Sequence, residues 1–211
     1  MQSHGTADGV RRTAVADGAF WPLWVGLTTV GYAIGLGLDS ILYAGVSGIL
    51  GGVLAGVPSV ALFGAIVGGV SGSLQTVLLR RRLARASQWI AASAAGGAVG
   101  FVLGSAASEI ASNEIALHLD VYVTGAIIQI VFGALSGAGI GVAQWLLIRR
   151  RVAGAGTWVA ANVVGLTFGF SVPIGVMQLI SLPLLGVVFG VIGGLLLGLT
   201  QWLWARRISW Q

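Results

Sequence analysis

One pattern of 19 residues occurs three times in this chain, and it constrains the fold more than any other feature. The pattern opens with Phe-Gly, repeats glycine at every fourth position, and closes with a glutamine and then an arginine pair. Its copies begin at Phe63, Phe132 and Phe189. Seven fixed positions that recur three times without a gap indicate an internal repeat, in which one structural unit is used three times.

A second pattern, Trp-x6-Gly-x3-Gly, precedes each copy of the first and begins at Trp24, Trp89 and Trp158. The repeating unit is therefore predicted to be a helical hairpin with two apolar helices. We expect first helices near 20–40, 88–108 and 157–180, and second helices near 57–80, 121–148 and 184–205. Each is long enough to cross a hydrocarbon core of about 30 Å. The sequence predicts an all-α integral membrane protein with six transmembrane helices in three tandem hairpins.

The composition supports a membrane location. Hydrophobic residues make up 56% of the chain and charged residues only 8%, which is typical of polytopic helical membrane proteins. A net charge of +5 would suggest nucleic-acid binding in a soluble protein, but here we interpret the arginines as topology signals and expect no nucleic-acid partner. The absence of cysteine from the sequence excludes disulfides and thiolate metal sites.

The repeats divide the chain into a polar tail and three hairpins. The tail covers residues 1–19, and the hairpins cover 20–82, 83–151 and 152–211. Their internal links differ: the first (45–58) is apolar and glycine-rich, the second (108–120) is amphipathic, and the third (181–183) is a tight turn. The first link is compatible with a helix extension, a third crossing, a re-entrant segment or a segment lying on the membrane surface.

The charges predict the topology. All the arginine clusters fall on one side of a six-span arrangement, whereas Asp39, Glu109, Glu114 and Asp120 fall on the other. The positive-inside rule then places both termini in the cytoplasm, and the eight tryptophans form an aromatic belt at that interface. The arginines are also candidates for lipid or partner contact. These candidates are Arg80, Arg81, Arg149, Arg150, Arg206 and Arg207.

The repeated glycines are predicted to be helix-packing positions, because glycine faces let helices approach closely in lipid. Within one hairpin, the glycine stripes of the two helices lie at matching depths, so we expect them to face each other. The alternative is that some of them leave room for a flat ligand such as a pigment or quinone. The candidate packing glycines are Gly31, Gly35, Gly64, Gly68, Gly72, Gly96, Gly100, Gly133, Gly137, Gly141, Gly165, Gly169, Gly190, Gly194 and Gly198.

The glutamines Gln75, Gln144 and Gln201 are the strongest functional candidates. Each lies about 7 Å from its arginine pair along the helix, at a depth where an amide is costly unless it is hydrogen-bonded. One interpretation is a polar ring around a pseudo-threefold axis. The other is that the amides only join neighbouring helices or contact headgroups.

Catalytic and cofactor signals are weak. No Asp, Glu, Arg or His is predicted at mid-span, and no P-loop, HExxH or GxSxG pattern is present, so we expect no enzyme, no metal and no dedicated cofactor. A bound pigment, quinone or lipid remains compatible with the sequence. His118 is a weak candidate ligand; the alternative is a solvated loop in which it pairs with Glu114.

The segments 75–90, 144–159 and 201–207 resemble a repeat found in uncharacterised polytopic bacterial membrane proteins of cyanobacterial and green non-sulfur bacterial type. In those proteins a Gln-Trp-Leu-x-Leu-Arg-Arg end precedes a new helix near a tryptophan. In the first copy Thr76 replaces the tryptophan. The resemblance covers most of residues 20–207 and implies a bacterial inner membrane, plasma or photosynthetic, but no activity. The likeness to mitochondrial carriers is architectural only, because their Pro-x-acid-x-x-basic signature is missing.

These observations lead to three functional hypotheses. The first is a non-catalytic structural or accessory subunit of a larger membrane complex, photosynthetic or respiratory, whose partners are lipids and other membrane subunits. The second is a small channel or facilitator for a neutral or lipophilic solute that passes the glutamine ring. The third is a protein that binds a pigment, a quinone or a lipid.

Overall fold

The computed structural model describes residues 5–49, 56–80, 83, 85–115, 119–150, 152–172, 182–205 and 209–210. This part of the chain contains six helices and one short pair of strands. The helices are α1 Gly5–Ile49, α2 Val57–Leu79, α3 Ser87–Ile115, α4 Val121–Ile148, α5 Gly156–Ser171 and α6 Leu182–Ala205. The strands β1 Val152–Ala153 and β2 Ser209–Trp210 pair antiparallel and were not predicted.

Five of the helices are long and apolar enough to cross a membrane, which indicates a multi-pass membrane protein. The exception is α5, whose described part has 16 residues. The rest of its predicted span, 173–180, lies outside the described residues, so the sixth span stays a prediction.

Four helix boundaries differ from those expected. Helix α1 extends into the predicted polar tail and continues through Ile49, and α3 continues to Ile115. Residues 5–20 contain no proline, and extending an existing helix costs much less than nucleating a new one. Helix α6 begins at Leu182, so Pro183 lies in the first helical turn, where its missing N–H is tolerated. Residues 50–55 of the first link lie outside the described residues.

The helices form a closed ring. Each packs against its neighbour in the chain, and α6 packs against α1. Small residues such as Gly64 and Ser71 are buried at the helix interfaces, whereas large apolar side chains such as Val30, Val99 and Leu195 are exposed on the outward side. In lipid there is little to gain from burying leucine or valine, so small residues that permit close contact occupy the interfaces.

The glycine stripes pack against different neighbours, which corrects the expectation that they face each other. Gly31 of α1 faces Ser71 of α2, and the Ser71 Cα lies 2.7 Å from where a Cβ on Gly31 would be. The glycine next to Ser71, Gly72, instead faces Ser93 of α3. One residue rotates a helix position by about 100°, so the predicted depth was right and the predicted face was wrong. A ring requires every helix to have two interfaces, and the second helix of each hairpin uses its glycines for the next hairpin.

Candidate functional site

The three repeated glutamines are buried, and each accepts a hydrogen bond from a tryptophan. In each case the tryptophan begins the following hairpin, and the last glutamine closes onto the first hairpin. The donor–acceptor distances are 2.8 Å for Trp89 Nε1 to Gln75 Oε1, 2.9 Å for Trp158 Nε1 to Gln144 Oε1, and 2.8 Å for Trp24 Nε1 to Gln201 Oε1.

The other end of each amide donates to the first helix of the glutamine's own hairpin. The acceptors lie four residues after each repeated tryptophan, one helical turn deeper. The bonds are 3.0 Å from Gln75 Nε2 to Thr28 Oγ1, 2.9 Å from Gln144 Nε2 to Ser93 Oγ, and 3.1 Å from Gln201 Nε2 to Asn162 Oδ1. Each glutamine therefore joins three helices, and its buried amide has both a donor and an acceptor.

The three bonded tryptophans contact one another. The ring centroids of Trp24, Trp89 and Trp158 lie 5.7–6.1 Å apart, with edge-to-face geometry, an arrangement that aromatic pairs favour. Their side chains are at most 5% exposed. We call the three tryptophans and three glutamines the Trp–Gln seal. These tryptophans lie inside the bundle, so they do not belong to the aromatic belt that the sequence analysis assigned to them.

The glutamines share one small compartment with Tyr32, Ile140 and Leu197. It has no room for a water molecule. In this conformation the glutamines are structural links, and their amides do not line an aqueous path.

A cavity of about 450 Å³ lies at the opposite end of the bundle, between α1, α3, α4, α5 and α6. We call it the vestibule. Its volume lies within the range of about 300–1,000 Å³ that is typical of small-molecule pockets. Phe132, Phe170 and Phe189 contribute aromatic surface to its wall, and Phe101 packs against both Phe132 and Phe170, with centroid distances of 5.0 and 6.2 Å.

One acidic side chain, Asp39, lies in the vestibule wall. Its Oδ1 atom is buried and has no hydrogen-bond partner among the described residues. Ser40, Ser105, Ser108 and Gln129 also line this space. No arginine is found among the lining residues that the structure describes.

The remaining candidates lie elsewhere. Arg80, Arg149 and Arg150 are exposed at the end of the bundle that holds the seal, which we call the arginine end, and the Arg149 guanidinium lies 5.2 Å from the Trp145 ring centroid. Within the described parts of the chain, no group of three metal-ligating side chains occurs. Arg81, Arg206, Arg207 and His118 lie outside the described residues.

The sequence analysis missed the acceptors Thr28, Ser93 and Asn162. A signal was available, because all three are polar and lie at the same offset from a repeated tryptophan. It also used Asp39 only as a topology marker. The vestibule left no signal in the sequence, because it depends on how five helices, α1, α3, α4, α5 and α6, pack around it.

No protein-family model matches the chain, and neither the curated proteins nor the solved structures yield a match.

Proposed function

We propose that this protein is a non-catalytic structural subunit of a bacterial membrane complex. The observation that carries the proposal is the Trp–Gln seal, which commits the polar groups at the bundle centre to joining helices. A ring held in this way is a stable membrane-embedded support. Its outward face, rich in exposed valine, leucine and isoleucine, is then the surface available to lipids or to another subunit.

We further propose that the three hairpins are related by a pseudo-threefold axis along the membrane normal. The repeated motifs and the threefold recurrence of one bonding pattern, tryptophan to glutamine to a polar residue one turn deeper, support this. The exposed arginines at one end favour a cytoplasmic location for that end and for both termini. A C-terminal green fluorescent protein fusion would be fluorescent under this topology, and an alkaline phosphatase fusion there would be inactive.

The structural role is tested by photo-crosslinking along the outward face. A photoreactive amino acid is placed singly at the exposed positions Val30, Val99 and Leu195, which lie on three different helices. Crosslinks to one other protein from one helix, in cells at native expression levels, are expected, with lipid adducts from the others. Leu166, which is fully buried and already carries a large side chain, provides the matched interior position that should give only internal products. Lipid adducts from every outward position around the ring would contradict the proposal.

The shared glutamine compartment favours a facilitator as second candidate, because it lies between the vestibule and the arginine end. Transport through the centre would require the Trp–Gln bonds to break. Proteoliposomes with the purified protein should then show flux of small neutral solutes, and the Trp24→Ala/Trp89→Ala/Trp158→Ala variant should raise it. Equal solute flux in proteoliposomes and in protein-free liposomes, with and without these substitutions, would eliminate this candidate.

Binding of a pigment, quinone or lipid is compatible with the size of the vestibule. Absorbance of the protein purified from its native membrane distinguishes a pigment or quinone from a colourless lipid.

A further inference from the structure

We propose that the vestibule is a binding site for a lipophilic ammonium ion, that is, an amine or quaternary ammonium group on an apolar body. The proposal does not depend on the structural role, because it concerns a different part of the molecule. It rests on the sign of the charge, the direction of the hydrogen bonds and the shape of the vestibule.

The charge of the wall favours a cation. Asp39 is the single ionisable side chain among the described lining residues, and its buried Oδ1 lacks a partner. A carboxylate oxygen removed from water without a partner is costly. A bound ammonium group would supply both the missing hydrogen bond and the opposite charge.

The serine hydroxyls favour a ligand that donates hydrogen bonds. Ser40 Oγ donates to the Leu36 carbonyl oxygen at 3.0 Å, and Ser108 Oγ donates to the Ile128 carbonyl oxygen at 3.1 Å. Both hydroxyl protons are thereby committed to the helices. Each oxygen keeps lone pairs, so these two groups of the vestibule wall can accept hydrogen bonds and have no proton left to donate.

The aromatic wall favours an organic ligand over a metal ion. Phe132, Phe170 and Phe189 line the vestibule, and phenyl faces attract ammonium groups as well as burying apolar chains. Calcium sites in proteins combine six to eight oxygen ligands and usually include more than one carboxylate, whereas Asp39 is the single carboxylate among the described lining residues. A ligand with its ammonium group near Asp39 and its apolar body against the phenylalanines contacts both the acidic and the aromatic parts of the wall.

Such an ammonium group has two sources, a free lipophilic amine or the headgroup of an aminophospholipid. The probes are radiolabelled dodecylamine, dodecyltrimethylammonium and dodecanoate, applied to the full-length protein in nanodiscs of phosphatidylglycerol. Protein-free nanodiscs measure partition into lipid. We expect saturable binding of both cations and none of dodecanoate. Including phosphatidylethanolamine in the nanodisc separates the sources: competition identifies the headgroup, and unchanged amine binding identifies the free amine.

The decisive variant is Asp39→Asn, which removes the charge and keeps the shape. We expect the Kd for dodecylamine to rise about tenfold or more, which corresponds to about 1.4 kcal/mol. Glu109→Gln is the matched control, because Glu109 is an exposed carboxylate on α3, in the same end of the bundle, that does not line the vestibule; it should bind like the unmodified protein. Ser105→Leu fills the vestibule without changing charge and should also weaken binding.

Three results would overturn the proposal. One is the absence of saturable binding of either cation. Another is saturable dodecanoate binding of equal affinity. The third is an unchanged Kd in Asp39→Asn and Ser105→Leu, whose folded state is checked by size-exclusion chromatography; if Asp39→Asn does not fold, Ser105→Leu alone decides the question.

Discussion

The two ends of the bundle interior come from the same repeat but differ in structure: one end is filled and hydrogen-bonded, and the other contains a cavity. At the arginine end, Trp24, Trp89 and Trp158 fill the centre, and every glutamine amide is bonded at both ends. At the other end lies a vestibule of about 450 Å³, where the Asp39 Oδ1 has no hydrogen-bond partner within the described part of the chain. The polar groups are hydrogen-bonded at the end where the three hairpins carry equivalent residues. The vestibule lies at the end where the links within the hairpins differ.

A repeat can thus place the stabilising contacts at one end of a bundle and a ligand-binding cavity at the other. Three equal interfaces support a ring only if the same bond can form at each, and the offset of four residues between tryptophan and acceptor provides this. Beyond the repeated glycines, the hairpins carry different residues. At the position 15 residues after the tryptophan, they carry Asp39, Gly104 and Pro173. Function is therefore expected at the end where the repeats diverge.

The largest loss of stability is expected from Gly137→Leu at the interface between α4 and α5. A Cβ at Gly137 would collide with the backbone carbonyl of Asn162, so the helices must separate, at a cost of about 3 kcal/mol. Gly125→Leu on the same helix is the control, because nothing lies within 4 Å of its Cβ position. Unfolding in mixed micelles by titration with sodium dodecyl sulfate measures both; equal loss of stability would contradict the close approach of these helices.

A smaller loss is expected from Gln201→Leu, which breaks the seal where the ring closes. It leaves the Trp24 Nε1–H and the Asn162 Oδ1 buried without their partner, and we expect a loss of about 2 kcal/mol in unfolding free energy. Gln129→Leu replaces a glutamine of the vestibule wall that has no hydrogen bond among the described residues, and should change stability little. The hypothesis of a structural seal would be wrong if the two variants unfolded alike.

Trp89→Phe tests the bond separately from the aromatic contact. Phenylalanine keeps a ring beside Trp24 and Trp158 but leaves Gln75 Oε1 without its donor, so about 1–2 kcal/mol of stability should be lost. Trp145→Phe serves as the control, since Trp145 is half-buried beside the cluster and its indole N–H has no acceptor among the described residues. Near-ultraviolet circular dichroism should change more for Trp89→Phe; identical spectra for the two variants would contradict a coupled tryptophan cluster.

The smallest effect on stability is expected from Asp39→Asn. The buried Oδ1 has no partner to lose, and a neutral amide costs less to bury than a carboxylate. The unfolding free energy without ligand should therefore stay within about 0.5 kcal/mol of the unmodified protein or rise. A loss comparable to that of Gln201→Leu would show that Asp39 supports the ring, and would remove the contrast between the two ends.

Much of the fold could be predicted from the sequence, because the repeat is strong and apolar length is a direct consequence of bilayer thickness. All-helical structure and five membrane-length helices are confirmed. The glycine depths were right, since rise per residue is nearly constant. The glycine faces were wrong, because pairing within a hairpin and closure of a ring predict the same depths.

The site was less predictable for a related reason. The repeat identified Gln75, Gln144 and Gln201, but the sequence offered no way to pair an indole with an amide across 177 positions. The tryptophans near Arg80 and Arg149 matched an interfacial belt equally well, since the depth of a residue does not reveal whether it points to lipid or inward. The vestibule depends on how five helices pack around it, and no residue pattern in the sequence predicts that packing.

The closure between α1 and α6 has a consequence for synthesis of the chain. Trp24 is translated 177 positions before its acceptor Gln201. Until α6 enters the membrane, the nascent protein is an open arc, in which the indole N–H of Trp24 and the amide of Gln75 gain their hydrogen-bond partners at different times. The second hairpin supplies the donor for Gln75 as soon as it inserts, whereas the first helix completes its bond to Gln201 only after α6 has been synthesised. A stalled or truncated chain without α6 would leave the α1 interface uncovered and the Trp24 indole N–H without its acceptor. This defect is accessible to membrane quality control before the ring has formed.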